Sequence, residues 1–269
     1  MSFRPAENQR VPSSVLMYHL IGGADGGDLA VSAQSFHDHL DLLAERGLRG
    51  CSLAELVASP RRAGLVGITF DDAFRAGLPM VADALVAHGF TATVYVPTNF
   101  VGSSATWIRD KRGSNSIMSW SELAELSQAG FECGSHSVNH VALDTCTAQP
   151  GAAEVAESKR IIEDEVGCSV TSFAYPFGYH DRRTRGWLEA AGYRSACVIR
   201  HDRFAPHGDV FSVPRYHALN GVNWLQRALD PTARRSPESW AKQLAYPGWR
   251  LARQSAQLIR TSADKIGIR

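Results

Sequence analysis

Apolar residues in this chain arrive in short runs separated by stretches of helical period. The runs at 15–20, 65–70, 91–96, 172–175, 195–199 and 211–213, with another opening at Glu132, are too short for helices and too apolar or β-branched for loops. They predict strands buried on both faces. Between them apolar positions recur every three or four residues, the mark of a helix with one buried face. Ser35 opens such a stretch through Arg46, with Phe36, Leu40 and Leu43 on one side, and Ser52 opens a shorter one. A helix over 79–88 is stopped by Gly89. Ser119 with Glu122 is the capping-box pattern of a helix reaching Gln128; 150–166 runs to Gly167, and 182–190 follows. Strands alternating with helices imply parallel βαβ units, and roughly seven strands let the sheet close into a barrel. The stretch 99–118 fits neither period and reads as a long irregular insertion, of the length that is either functional or disordered.

Chemistry enters where the run at 65–70 ends on Asp71 and Asp72. Two carboxylates at the end of a buried strand are costly unless something there takes up negative charge. In α/β folds the carboxyl ends of the strands are where ligands gather. Extended neighbours point opposite ways, so one acid can hold a metal while the other takes a proton. Read alone, the pair is as readily an acidic turn or a helix cap. His136 and His140 stand four apart, and a helical turn would put both rings on one side, which suits a divalent metal. Two histidines and one aspartate leave coordination positions open, as at a catalytic rather than a structural metal.

Thr69-Phe70-Asp71-Asp72, the block from His136 to His140, and Phe173-Ala174-Tyr175-Pro176-Phe177-Gly178 stand in the order and spacing of the polysaccharide deacetylases. The chain resembles this family, the NodB-like group or carbohydrate esterase family 4, from Val15 to Ala218. Leu16-Met17-Tyr18-His19 is similar to the start of many members. The resemblance implies a distorted (β/α) barrel with a metal at its C-terminal mouth. It implies hydrolysis of an N-acetylated amino sugar or glycan conjugate to acetate and a free amine. By the same resemblance Asp72, His136 and His140 hold a divalent ion, Zn2+ in the first place and Co2+, Ni2+ or Mn2+ as alternatives. Asp71 is the general base, and the backbone N–H of Phe177 helps to bind the oxyanion. Tyr175 and Pro176 line the substrate site; Trp107, in the long insertion, either stacks on a sugar face or anchors its own loop.

Two positions depart from the family pattern. Many members carry an arginine that orients the catalytic aspartate where this chain has Ala174. Arg215, in Val213-Pro214-Arg215-Tyr216, is the candidate to supply that charge from another strand. A Leu-x-His motif near the C-terminal end is not evident. His19 is therefore the expected general acid, protonated near neutrality through Asp71, with His217 as its rival. Three other readings compete. A two-histidine, one-carboxylate site also suits non-haem Fe(II) oxygenases, which sit on all-β barrels. The others are a deacylase acting on a different amide or ester, and a catalytically impaired sugar-binding homologue.

Composition narrows this little further. With 44% hydrophobic and 20% charged residues the chain is neither disordered nor fibrous, and a net charge of +1 argues against nucleic acid as a partner. Five scattered cysteines without a CxxC fit reduced thiols, and no apolar run approaches 18 residues. Residues 1–14 read as a flexible arm without the apolar segment of a signal peptide, so the expected setting is cytoplasmic, with the inner face of the membrane as an option. The barrel is assigned to 15–230. The tail, 231–269, sets eight Lys or Arg against two acids, a surplus of six, interleaved with Trp240, Leu244, Trp249, Leu251, Leu258 and Ile259. It reads as two helices that pack on or beside the barrel as a cap, or that touch an anionic membrane surface.

Overall fold

The computed structural model describes residues 13–22, 27–107, 115–230 and 232. Ten strands occur among them: β1 (Val15–Tyr18), β2 (Leu20–Ile21), β3 (Ala30–Val31), β4 (Arg49–Cys51), β5 (Leu65–Phe70), β6 (Thr93–Val96), β7 (Glu132–Ser135), β8 (Ser172–Ala174), β9 (Ser195–Ile199) and β10 (Val213–His217). They alternate with helices α1 (Ala33–Glu45), α2 (Leu53–Ala58), α3 (Leu78–Ala87), α4 (Trp120–Gln128), α5 (Ala148–Val166), α6 (Arg182–Ala190) and α7 (Asn223–Leu229).

Seven strands close a ring in the order β1, β10, β9, β8, β7, β6, β5, with β5 returning to β1. Every pairing is parallel, so all seven carboxyl ends open at one mouth. β4 lies along the first half of β5, where Gly50 faces Val66, while β6 takes the second half from Thr69 on. β2 and β3 form a separate two-stranded pair. The period of two is visible in the packing. Leu16, Phe70, Val94, Phe173, Ala196 and Val198 join the large cluster that contains the helix residues Phe36, Leu40, Val155 and Leu188. Val15, Tyr95, Ala174, Cys197 and Val213, on the opposite strand faces, form a smaller cluster. Burying each of the larger side chains contributes about 1.5–3 kcal/mol.

Several elements differ from the sequence reading. The cap of α1 is Ser32, extended at φ −63, ψ 151, whose hydroxyl accepts the Ser35 N–H; Ser35 lies inside the first turn and accepts the Gly221 N–H instead. The last strand begins at Val213 rather than spanning 211–213, which puts Arg215 and His217 on the strand itself. β4 and α7, three and seven residues long, carry too few apolar positions to show a period. Residues 101–107 and 115–118 are a hydrogen-bonded stem rather than an irregular loop: Ile117 N–H donates to Ser103 O and Ala105 N–H to Asn115 O. The same stem is tied to the residues after Asp72, with Met118 N–H on Ala73 O and Arg75 N–H on Ser116 O. Of the arm expected over 1–14, Ser13 and Ser14 are buried and bonded, Ser13 to Phe204 in both directions and Ser14 to Ala228 O. Residues 1–12 lie outside the described residues, as does the expected basic tail apart from Thr232. Among the described residues no helix is long and apolar enough to cross a membrane.

Candidate active site

β5 delivers Asp71 and Asp72 to the mouth, β7 delivers His136, and the loop beyond it delivers His140. Asp72 leaves the extended path at once, at φ 67, and Ala73 follows at φ 51. The two carboxylates diverge because the backbone turns at Asp72, not because the strand simply alternates. Nor does a helical turn join the two histidines: Ser137 sits at φ 65 and His140 at φ 51. Among the described residues the non-glycine positions with positive φ are Asp72, Ala73, Ser137, His140 and Phe177. Such conformations cost on the order of 1–3 kcal/mol each and persist where the surroundings enforce them. All five are candidate site residues or their chain neighbours.

The loop from His136 to His140 is enforced from two sides. Thr98 and Asn99, just after β6, donate their N–H groups to Ser137 O and Val138 O. From α5, one Glu154 oxygen accepts the Val138 and Asn139 N–H groups at 3.0 and 2.8 Å, and the other accepts the Asn139 side chain at 2.6 Å. The sequence reading missed Glu154, which lies in a helix with nothing local to mark it. Two glycines let the flanking strands approach. A Cβ on Gly134 would meet the Tyr95 ring at 2.5 Å, and one on Gly178, at φ 75, would meet Ile199 N at 2.7 Å.

Asp72, His136 and His140 converge so that one ligand atom from each lies within 4.8 Å of the others. Asp72 Oδ1 is buried without a hydrogen-bond partner and lies 3.6 Å from His136 Nε2 and 3.3 Å from His140 Nε2. Burial and the neighbouring Asp71 push the Asp72 carboxyl up to about 8, against a hydrogen bond from Trp107 that favours the charged form. Burial also lowers both imidazoles, His140 to about 2, which leaves them neutral. His136 is held by its other nitrogen, with Nδ1 2.7 Å from Ala174 O, so Nε2 is the nitrogen offered to the cluster. A carboxylate in need of compensating charge beside two neutral imidazoles is a donor set that fits a divalent cation.

Asp71 is in a different position. Arg215 Nη1 and Nη2 reach its two oxygens at 2.6 and 2.8 Å, and Nη1 also donates to Thr69 Oγ1 at 3.0 Å. Burial alone would raise the Asp71 carboxyl. Arg215 and His136 outweigh it and hold the group well below the usual carboxylate range. Arg215 is fully buried, over the Tyr95 ring at 5.6 Å. The charge that Ala174 cannot provide on β8 therefore arrives from β10.

The other candidates are placed as follows. His19 follows β1 and His217 ends β10, their ring centroids 5.5 Å apart. Against the expectation that Asp71 keeps His19 protonated near neutrality stands an opposing effect. Burial outweighs the Asp71 field and pushes the ring down to about 3. Phe177 projects a ring that is 46% exposed, with its centroid 4.8 Å from that of His140. Tyr175 and Pro176 are buried; the Tyr175 hydroxyl donates to Phe211 O and its ring stacks on His180, so its side chain has no open surface for a ligand. Trp107 is half-buried and lies directly against the cluster rather than apart from it.

Comparison with known proteins gives the family and the fold. The family profile described as polysaccharide deacetylase matches residues 58–196, more than half of the chain. The chain is 26% identical over 221 residues to YxkH of Bacillus subtilis (strain 168), named for the same family, covering 78% of this chain and 72% of that one. Among solved structures it is similar to the Streptococcus pyogenes deacetylase PplD in complex with acetate, at TM-score 0.72 and 20% identity, covering 83% of this chain and all of that one. It is likewise similar to IcaB from Ammonifex degensii, at TM-score 0.67 and 23% identity, covering 84% and 99%. At these identities the solved structures speak to the fold.

Proposed function

Because this chain belongs to the polysaccharide deacetylase family, we propose that it is a metal-dependent N-deacetylase of an amino sugar or amino-sugar conjugate. The observation that carries the reading is the division of labour between adjacent acids: Asp72 faces two neutral imidazoles, and Asp71 is clamped by Arg215. Asp72, His136 and His140 would hold the ion, zinc by donor type, which when bound polarises the acetamide carbonyl and acidifies water. Asp71 takes the proton of the attacking water. Held low by Arg215, it is ionised throughout the working pH range and is ready to accept. The N–H of Phe177 stabilises the developing oxyanion. The departing amine takes its proton through the pair His19 and His217, and since burial lowers the His19 ring, the proton delivered is the one that Asp71 removes from the water, which frees Asp71 again. The products are acetate and a free amine on the sugar.

A panel of N-acetylated sugars, as free oligomers and as nucleotide- and lipid-linked conjugates, assayed for acetate release, tests the reading. Release from at least one, abolished by chelation and restored by zinc, is expected. Release only from simple acetyl esters would move the chain to a different deacylase class.

A further inference from the structure

His136 and His140 are held in different ways. His136 has the Ala174 carbonyl on its far nitrogen. His140 has no such partner: its Nδ1 is buried and without a hydrogen bond. Its ring is held by packing instead. Trp107 stacks on it with centroids 4.1 Å apart and planes 17° from parallel, and Phe177 meets it nearly edge-on at 4.8 Å. The same indole donates its Nε1–H to Asp72 Oδ2 at 3.3 Å. Asp72 is thereby divided, with Oδ2 on Trp107 and Oδ1 left to face the two histidines. Trp107 is itself buttressed by Phe100, edge-on at 4.7 Å. It stands at the end of the stem that is hydrogen-bonded to Ala73 and Arg75, immediately after Asp72.

We propose that Trp107 is a positioning residue for the metal site, fixing the presented oxygen of Asp72 through its N–H and the ring of His140 through its face. This rests on the metal-dependent reading above. Outer hydrogen bonds that orient metal ligands typically contribute about 10–100-fold in affinity, and His140 lacks the usual one. One side chain here serves two ligands, one just after β5 and one in the loop after β7. One ring face lies on His140, so at most the other is left as a platform for a sugar.

The test is zinc affinity of metal-stripped protein, measured by competition with a chromophoric chelator, for wild type, Trp107→Phe and Trp107→Ala. Trp107→Phe keeps an aromatic ring against His140 and deletes only the N–H. It should weaken zinc by about tenfold, and Trp107→Ala by about a hundredfold, the span expected for lost outer partners. Cobalt, which quenches indole emission at contact distance, gives a second readout: of the emission of the six tryptophans, the share from Trp107 should be quenched in wild type, and that component should be missing in Trp107→Phe. Unchanged zinc affinity in Trp107→Phe, or undiminished quenching, beside a wild type that loads normally, would overturn the assignment. A wild type that takes up no zinc would instead remove the functional reading on which it rests.

Discussion

Arg215 and Asp71, 144 residues apart in sequence, meet as a buried, doubly hydrogen-bonded pair with N–O distances of 2.6 and 2.8 Å. Breaking a buried pair by removing one partner costs about 3–5 kcal/mol, because the remaining charge stays buried. Arg215→Ala should therefore lower the unfolding free energy by about that amount. It should also raise the Asp71 carboxyl, so the acid limb of kcat/KM moves to higher pH as the base is protonated earlier. Denaturant unfolding and a pH–rate profile check both halves. An unmoved acid limb would mean that Arg215 is structural only.

Asp71→Asn keeps the shape and the contact with Arg215 in part and removes the base. Metal content should stay at wild-type level, since Asp71 faces Arg215 rather than the histidine pair. Turnover should fall by about 10² or more. Elemental analysis beside the rate separates this outcome from loss of the metal.

The sequence made much of this legible, and the limits have physical causes. The strand ending on Asp71 and Asp72 showed because a buried parallel strand leaves an unbroken apolar run, and the acids that interrupt it stand out. Arg215 could be named as the missing charge because Ala174 left an obvious gap, yet its pairing depends on β10 lying beside β1 in the ring, which no local pattern encodes. The spacing of His136 and His140 suggested a pair that does converge, though not through a helical turn. Their convergence comes from two left-handed residues held by Glu154 and by the backbone after β6, all of them tertiary contacts. Tyr175 drew notice as part of a motif, but its burial could not be read from its neighbours in sequence.

Glu154 gives a prediction of its own. Glu154→Ala leaves the Val138 and Asn139 N–H groups without their acceptor, at a cost of about 1–3 kcal/mol to the loop. Hydrogen exchange at these two amides should quicken, and zinc should bind more weakly. Glu154→Gln, which retains an acceptor oxygen, should recover part of both. Wild-type exchange in Glu154→Ala would show that Thr98 and Asn99 suffice to hold the loop.

Burial lowers the His19 ring to about 3 and the His39 ring below its ordinary value. A base whose folded pKa is depressed adds stability that is complete above its unfolded value, near 6.5, and is lost as pH falls. Taking metal-free protein from pH 7 to 5 should therefore cost on the order of 1–2 kcal/mol at His19, read as the difference between wild type and His19→Asn, because Asp72, raised to about 8, works in the opposite direction in both. Unfolding curves at the two pH values measure this, and His19→Asn should flatten the dependence. A pH dependence as steep in His19→Asn as in wild type would contradict the assigned sign.

The central claim is that Asp72, His136 and His140 hold the ion on which deacetylation depends. The most direct measurement is acetate release from an N-acetylated substrate as metal-stripped protein is titrated with zinc. Activity should rise in proportion to added metal, level off at about one equivalent per chain, and stay absent in His140→Ala at that same loading, as a site with three protein ligands requires. Full turnover by the stripped protein, or by His140→Ala, would contradict the account.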